Sequence, residues 1–154
     1  MNDMTPSDTP LNLRSFLTFR LARLQAQINA QAQHVLRSHS DVGHTEWRVL
    51  ILVKDCGDST MAQIVRDVQI DKAQISRAVK ALIEKGYLSA RDDPNDHRQS
   101  FLSLTPEGRA VHAHLLPHMQ DRQHALMADL SEKEIAVTYS VIDRLEQAAL
   151  RRDF

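Results

Sequence analysis

Apolar residues along this chain recur with one period near its two ends and with a different, broken rhythm between them. From Leu11 onward, Leu13, Phe16, Leu17, Leu21, Leu24, Ile28, Val35 and Leu36 follow mostly at three- or four-residue steps, which predicts a helix of about 25 residues with one apolar side. Farther on, Val111, Leu115, Met119, Leu126 and Leu130 mark a second long helix, and Ile135, Tyr139, Ile142, Leu145 and Ala149 a third. Ser131 followed by Glu134 is a capping-box start between them. Pro117 lies inside the second pattern; its missing donor and its ring predict a bend near His114.

The middle divides into shorter pieces. Glu46 to Lys54 forms a short helix with Trp47, Leu50, Ile51 and Val53 inward, closed by the polar turn Asp55-Cys56-Gly57-Asp58. Ser59 or Thr60 caps the next helix, whose apolar side is Met61, Ile64, Val65 and Val68. Asp71 then caps a third helix, Lys72 to Lys85, which Gly86 ends. A strand at 87–91, a polar tip at 92–99 and a returning strand at 100–104 make a hairpin, after which Thr105 caps the next long helix with Pro106 in its first position.

Composition narrows this reading without redirecting it. The 154 residues, 42% hydrophobic and 25% charged, suffice for one domain with its own core. The single cysteine excludes an internal disulfide. The opening ten residues carry two prolines and no apolar run, and are expected to be a flexible start; no stretch is long and apolar enough to span a membrane, so a cytoplasmic protein is expected. Long helices with apolar faces flanking a thin middle must bury those faces, and pairing with a second copy does so.

A net charge of −1 excludes a uniformly basic nucleic-acid coat, but the distribution is uneven. Residues 1–43 carry net +1, residues 44–105 zero and residues 106–154 net −2, whereas Lys72 to Arg91 alone hold five basic residues against one acid. With Ile75, Ala78, Val79, Leu82 and Ile83 packed down, Lys72, Gln74, Ser76, Arg77 and Lys80 face outward. Gln pairs with adenine N6 and N7, Arg with guanine O6 and N7, Ser with several base edges, and Lys with phosphate. Helix, turn, helix and two-stranded ribbon in that order form a winged helix-turn-helix, whose second helix enters a major groove. At the ribbon tip, Asp96 is placed to brace the turn or a basic neighbour such as Arg91, while Arg98, joined by His97, reaches toward phosphate or a narrow minor groove.

These residues resemble the MarR (multiple antibiotic resistance regulator) family in four stretches: Gly57 to Ile64, Asp71 to Leu88, Asp93 to Arg98, and Leu102 to Gly108. The Asp-x-Arg tip followed by Leu-Thr-x-x-Gly is the most specific part. The resemblance implies a homodimeric transcription factor that binds double-stranded DNA at a pseudopalindromic operator and represses nearby genes until a small aromatic or phenolic ligand loosens it. It places Gln74, Ser76, Arg77 and Lys80 toward the groove and Arg98 at the wing; Lys72, Arg91 and His97 complete the DNA-binding set expected from the residues themselves. His97 and Gln99 depart from the usual wing, where another arginine often stands, and Gln63 departs from the usual Leu-Ala pair.

Other residues invite other chemistry. A ligand pocket between the long helices and the DNA-binding lobe would be walled by Phe16, Phe19, Arg23, Trp47 and His112, with Arg23 suited to a carboxylate. Of eight histidines, four lie on the second long helix; His114 and His118, four apart, are weak metal candidates to which His34, His39 or His44 could add, and the expectation is no metal and no cofactor. Cys56 reads as a small buried hydrophobe. Neither a phosphate loop nor a nucleophile with an orienting base appears, so no enzyme is expected. The expected protein is mainly α: a flexible start at 1–10, a dimerisation helix and link at 11–43, a winged helix-turn-helix lobe with a small β wing at 44–105, and dimerisation helices at 106–154. The alternatives are a winged helix that docks proteins without reading DNA, and a metal-responsive regulator.

Overall fold

The computed structural model describes residues 12–68, 70–92 and 100–152. A 3₁₀ turn (Leu13–Ser15) precedes α1 (Leu17–His39), α2 (His44–Cys56), β1 (Ser59–Thr60), α3 (Met61–Val68), α4 (Lys72–Glu84), β2 (Leu88–Asp92), β3 (Ser100–Leu104), α5 (Pro106–Met127) and α6 (Glu132–Ala149). The first long helix starts later than its periodicity suggests. Asn12 Oδ1 accepts from the Arg14 amide at 3.2 Å and holds the 3₁₀ turn, so α1 proper begins at Leu17. The helix around Trp47 is longer than expected, because Glu46 Oε2 accepts from the Gly43 amide at 2.8 Å and draws His44 and Thr45 into its first turn.

The expected caps are in place. Thr105 Oγ1 accepts from the Gly108 amide at 2.9 Å with Pro106 in the first turn of α5, and Ser131 and Glu134 form a reciprocal box at the start of α6. Pro117 lies inside α5, which runs through it as one helix.

The sheet has three strands rather than the two of a simple hairpin. β3 is central, with β1 and β2 antiparallel on either side; Ser59 faces Leu102, Thr60 faces Phe101, and β2 pairs from Leu88 opposite Leu104 to Asp92 opposite Ser100. Thr60 thus serves twice, as a strand residue and as a cap whose hydroxyl accepts from the Gln63 amide at 3.3 Å.

One core joins α1 to α5 with β2 and β3. Leu36 from α1, Trp47, Val49, Leu50 and Val53 from α2, Ile64 from α3, Ile75, Val79 and Leu82 from α4, Leu88, Leu102 and Leu104 from the sheet, and Leu115 from α5 form a single buried cluster. Ile83 does not join it: it is 39% exposed at the edge of α4. The first half of α1 and the whole of α6 contribute no buried residue. Leu17, Leu21 and Leu24 on α1, with Val137, Tyr139, Val141 and Ile142 on α6, are 40–54% exposed, far more apolar area than a finished surface shows in one region.

Candidate nucleic-acid interface

The helix expected to read DNA presents one side outward because its ends are fixed and its other side is buried. Asp71 Oδ2 accepts from the amides of Ala73 at 2.9 Å and Gln74 at 3.2 Å, so this carboxylate is engaged at the helix start. At the far end Gly86 takes φ +76°, a left-handed conformation natural to glycine. Between them Ile75, Ala78, Val79 and Leu82 are buried, and Lys72, Gln74, Ser76, Arg77 and Lys80 are all exposed. At ~100° per residue the centre of the outward side is Ala73, Arg77, Lys80 and Glu84. Lys72, Ser76 and Ile83 form one edge. Gln74 and Ala81 form the other, beside the start of α2, where an open cleft of about 480 Å³ is lined by Gln74, Arg77, Gln33 and His44 among others. Ala73, which the sequence did not single out, is the small outward residue that lets the helix approach a surface closely; the helical wheel carried that signal.

The positive charge counted along this segment is less free than its sum. Lys80 Nζ lies 3.8 Å from Glu84 on the same helix, an exposed pair of little strength. Arg91 on β2 lies 3.1 Å from Asp58, whose other oxygen accepts from the Ser103 hydroxyl. The carboxylate seen on Arg91 is therefore Asp58, which sequence reasoning passed over because the contact spans α3 and α4. Asp96, His97 and Arg98 lie outside the described residues. Lys85 is drawn away from the outward side altogether: its Nζ donates to Glu46 Oε2 at 2.8 Å and to the Asp41 carbonyl at 2.6 Å. Among the described residues only Lys72 and Arg77 of the five basic groups make no ion pair.

Lys85 belongs to a junction. Tyr87 OH donates to Asp41 Oδ1 at 3.0 Å, and partial burial together with that acceptor raises the phenol above its ordinary pKa. The Thr105 hydroxyl donates to the Gly86 carbonyl at 2.6 Å, and the Thr105 amide to the Tyr87 carbonyl at 3.2 Å. Gly108 is needed beside it, since a Cβ there would collide with the Tyr87 carbonyl oxygen and lie 3.1 Å from Leu104 Cδ2.

The five residues expected to wall a ligand pocket fall into two groups within one chain. Trp47 and His112 stack at 5.3 Å between α2 and α5, both buried, and burial with Lys54 nearby lowers the His112 pKa. Phe16 and Phe19 are exposed on the first half of α1, where Phe19 and Arg23 line an open cleft of about 540 Å³ with Arg14, Arg20 and Leu24. His39 of α1 stacks on His118 of α5 at 3.6 Å, with His114 edge-on to His118 at 5.5 Å. Among the described residues no three histidine, cysteine or carboxylate groups are placed to share a metal ion. Cys56 is exposed at the last turn of α2, contrary to the expected burial. Among the described residues no helix is long and apolar enough to cross a membrane.

The geometry is that of a winged helix-turn-helix, and the comparisons agree. The model of the MarR family matches residues 40–99. The multiple antibiotic resistance protein MarR of Salmonella typhimurium is 25% identical over 130 residues, covering 81% of this chain and 90% of that protein. The PcaV transcriptional regulator of Streptomyces coelicolor, solved with its natural ligand, is 26% identical with a TM-score of 0.78 over 95% of this chain and 99% of that one. The same fold, at 21% identity and a TM-score of 0.81 over 89% and 97% of the two chains, occurs in BpsR of Bordetella bronchiseptica, whose DNA binding is regulated by 6-hydroxynicotinic acid. With a helix-turn-helix inside the matched segment, β3 just beyond it and long helices on both sides, this chain is similar in sequence and fold to transcriptional regulators of the MarR family.

Proposed function

We propose that this protein is a MarR-type DNA-binding transcriptional regulator, a homodimer that binds a pseudopalindromic operator and represses nearby genes until a small aromatic or phenolic ligand weakens its grip. The observation that carries the reading is the pairing of two features in one chain: an outward α4 bearing Gln74, Ser76, Arg77 and Lys80, and apolar faces on α1 and α6 that the chain itself leaves exposed. A second copy covering those faces would hold two α4 helices in fixed relation, and recognition helices about one turn of duplex apart, roughly 34–36 Å, read an inverted repeat.

In this reading residues 11–43 and 106–154 dimerise and residues 44–105 read DNA. Arg77 and Gln74 contact bases, Ser76 supports them, Lys72 and Lys80 hold phosphate, and Arg91 stands with His97 and Arg98 on the wing, which Asp96 braces. Phe16, Phe19 and Arg23 of one copy approach Trp47 and His112 only if the dimer brings them there, which makes the pocket a property of the pair. The natural ligand bound to PcaV and the regulation of BpsR DNA binding by 6-hydroxynicotinic acid support a ligand for this protein too. DNA as partner sets the protein in the cytoplasm. A winged helix used only to dock proteins would leave the base-reading set on α4 without a purpose.

The test is light scattering of the purified protein followed by DNA titration. A mass of two chains and tight, saturable binding to an inverted-repeat duplex selected from random sequence support the reading. A monomer, or equal affinity for every duplex, overturns it.

A further inference from the structure

Lys85 is counted in the local positive charge of the sequence, and the structure engages it behind the recognition helix. It is the C-terminal cap of α4, where a positive charge also meets the negative end of the helix dipole. Its ammonium bridges the Asp41 carbonyl and Glu46 Oε2, and the same Glu46 oxygen accepts from the Gly43 amide. Both side chains are largely covered, Lys85 26% and Glu46 15% exposed, so water screens this pair far less than the Lys80–Glu84 pair.

Two residues on, Tyr87 grips Asp41 with its hydroxyl, and its carbonyl accepts from the Thr105 amide at the start of α5. Residues 85–87 therefore join four segments: the end of the recognition helix, the start of the wing, the link between α1 and α2, and the first turn of α5. Two of those segments lead directly into the long helices. The junction is polar and directional, so it fixes an angle, whereas the apolar packing of α4 on α2 fixes mainly a distance.

We propose that Lys85 is a positioning residue for DNA recognition: through Glu46 and Asp41 it sets the angle of α4 and the wing against the long helices, and so the separation of the two half-sites that the dimer accepts. This rests on the dimeric operator-binding reading above. A lysine on phosphate and a lysine behind the helix leave different traces. Each phosphate that the protein ceases to neutralise flattens the dependence of log affinity on log salt by about 0.9. Removing a positioning interaction leaves that slope alone and alters geometry.

The experiment uses the full-length protein, its selected operator, and versions of that operator with the half-sites one base pair closer and one farther apart. Thermal unfolding first shows each variant to be folded. Lys85→Met is expected to bind the selected operator about tenfold more weakly, the scale of leaving a covered carboxylate unpaired. Its salt slope should match the wild type, and its preference among the three spacings should flatten or shift. Lys85→Arg, which keeps a cationic donor for Glu46 Oε2 and the Asp41 carbonyl, should retain the spacing preference. Should Lys85→Met not fold, Tyr87→Phe removes the Asp41 hydrogen bond from the same junction and should alter the spacing preference in the same way. A flattened salt slope with unchanged spacing preference, as for a lysine on phosphate, overturns the inference while leaving the operator reading intact. A wild type with no spacing preference at all overturns the operator reading, and the inference with it.

Discussion

Arg77 and Lys72 are both exposed, charged and free of ion pairs among the described residues, yet they sit differently: Arg77 at the centre of the outward side, Lys72 at its edge in the first turn. Arg77→Ala should cost about 1–3 kcal/mol on the preferred operator and relax choice at one or two base pairs. Lys72→Ala should weaken all duplexes alike and reduce the salt slope by about one for each phosphate no longer neutralised. Titrations against specific and random duplexes over a range of salt separate the two; equal losses on both duplexes for both variants contradict these roles.

Two glycines allow a cleaner contrast. Gly86→Ala meets open space but must keep a left-handed backbone, a cost of about 1–2 kcal/mol. Gly108→Ala has an ordinary backbone but no room against the Tyr87 carbonyl, and overpacking of that kind costs about 1–3 kcal/mol or more. Urea unfolding midpoints should fall for both variants. Only Gly108→Ala should also disturb operator binding, because it presses on the junction at Tyr87. At this scale the sequence was most legible where the chemistry is local. Asp71, Ser131 and Thr105 as caps, and Gly86 as a helix end, act on atoms within a few residues of themselves, and each does what its type and place imply. Lys85, Asp58 and Cys56 were not legible, because their surroundings are set by segments distant in the chain.

Among the elements, α1 and α5 meet through an unusual contact, the His39–His118 stack with His114 beside it. The pKa of His39 is lowered by partial desolvation and then by His118 and His114; that of His44 by burial and then by Arg48 and Arg122; that of His112 by burial and then by Lys54, with Asp55 opposing. A histidine whose folded pKa is depressed takes up its proton more readily when unfolded. The stability these three confer is therefore full above the unfolded value, about 6.5, and is lost as pH falls through it toward the folded values. The melting temperature should decline between pH 7.5 and 5.5. His118→Gln, which removes one imidazole facing His39, should make that decline shallower; an equal or steeper decline would contradict the account.

Element identity was legible wherever a period could express itself over several turns. The two-residue strand β1 has no period to show and exists only because β3 offers it an edge. The expected helix from Leu11 shortened for a related reason: apolar spacing does not say where the backbone first closes an α-turn, and Asn12 closes a tighter one.

Across the whole molecule, apolar side chains on α1 and α6 stay exposed. The apolar stripe on α1 that the sequence announced is real, but neither its first half nor α6 buries a residue within the chain, although Leu145 is half-covered where it lines a cleft with Leu21 and Leu24. Residues 12–40 also carry four arginines and no acid, whereas α6 has four acids against two basic residues, so the two faces are complementary in charge as well as in apolar character. The pattern told which surfaces are apolar, and it could not tell what covers them; in the proposed reading it is a second copy of the chain. Leu17→Asp combined with Val141→Asp should convert the proposed dimer to monomer in light scattering, and operator affinity should collapse while each winged helix keeps its helical circular dichroism; retention of the dimer would show that these faces are not the interface.

The most direct measurement is selection of bound fragments from random duplex DNA by the purified protein, followed by sequencing. The account predicts one enriched inverted repeat whose half-site centres lie about 10–10.5 base pairs apart, with the enrichment abolished in Arg77→Ala. Recovery of unrelated fragments, or of a single unrepeated site, would contradict it.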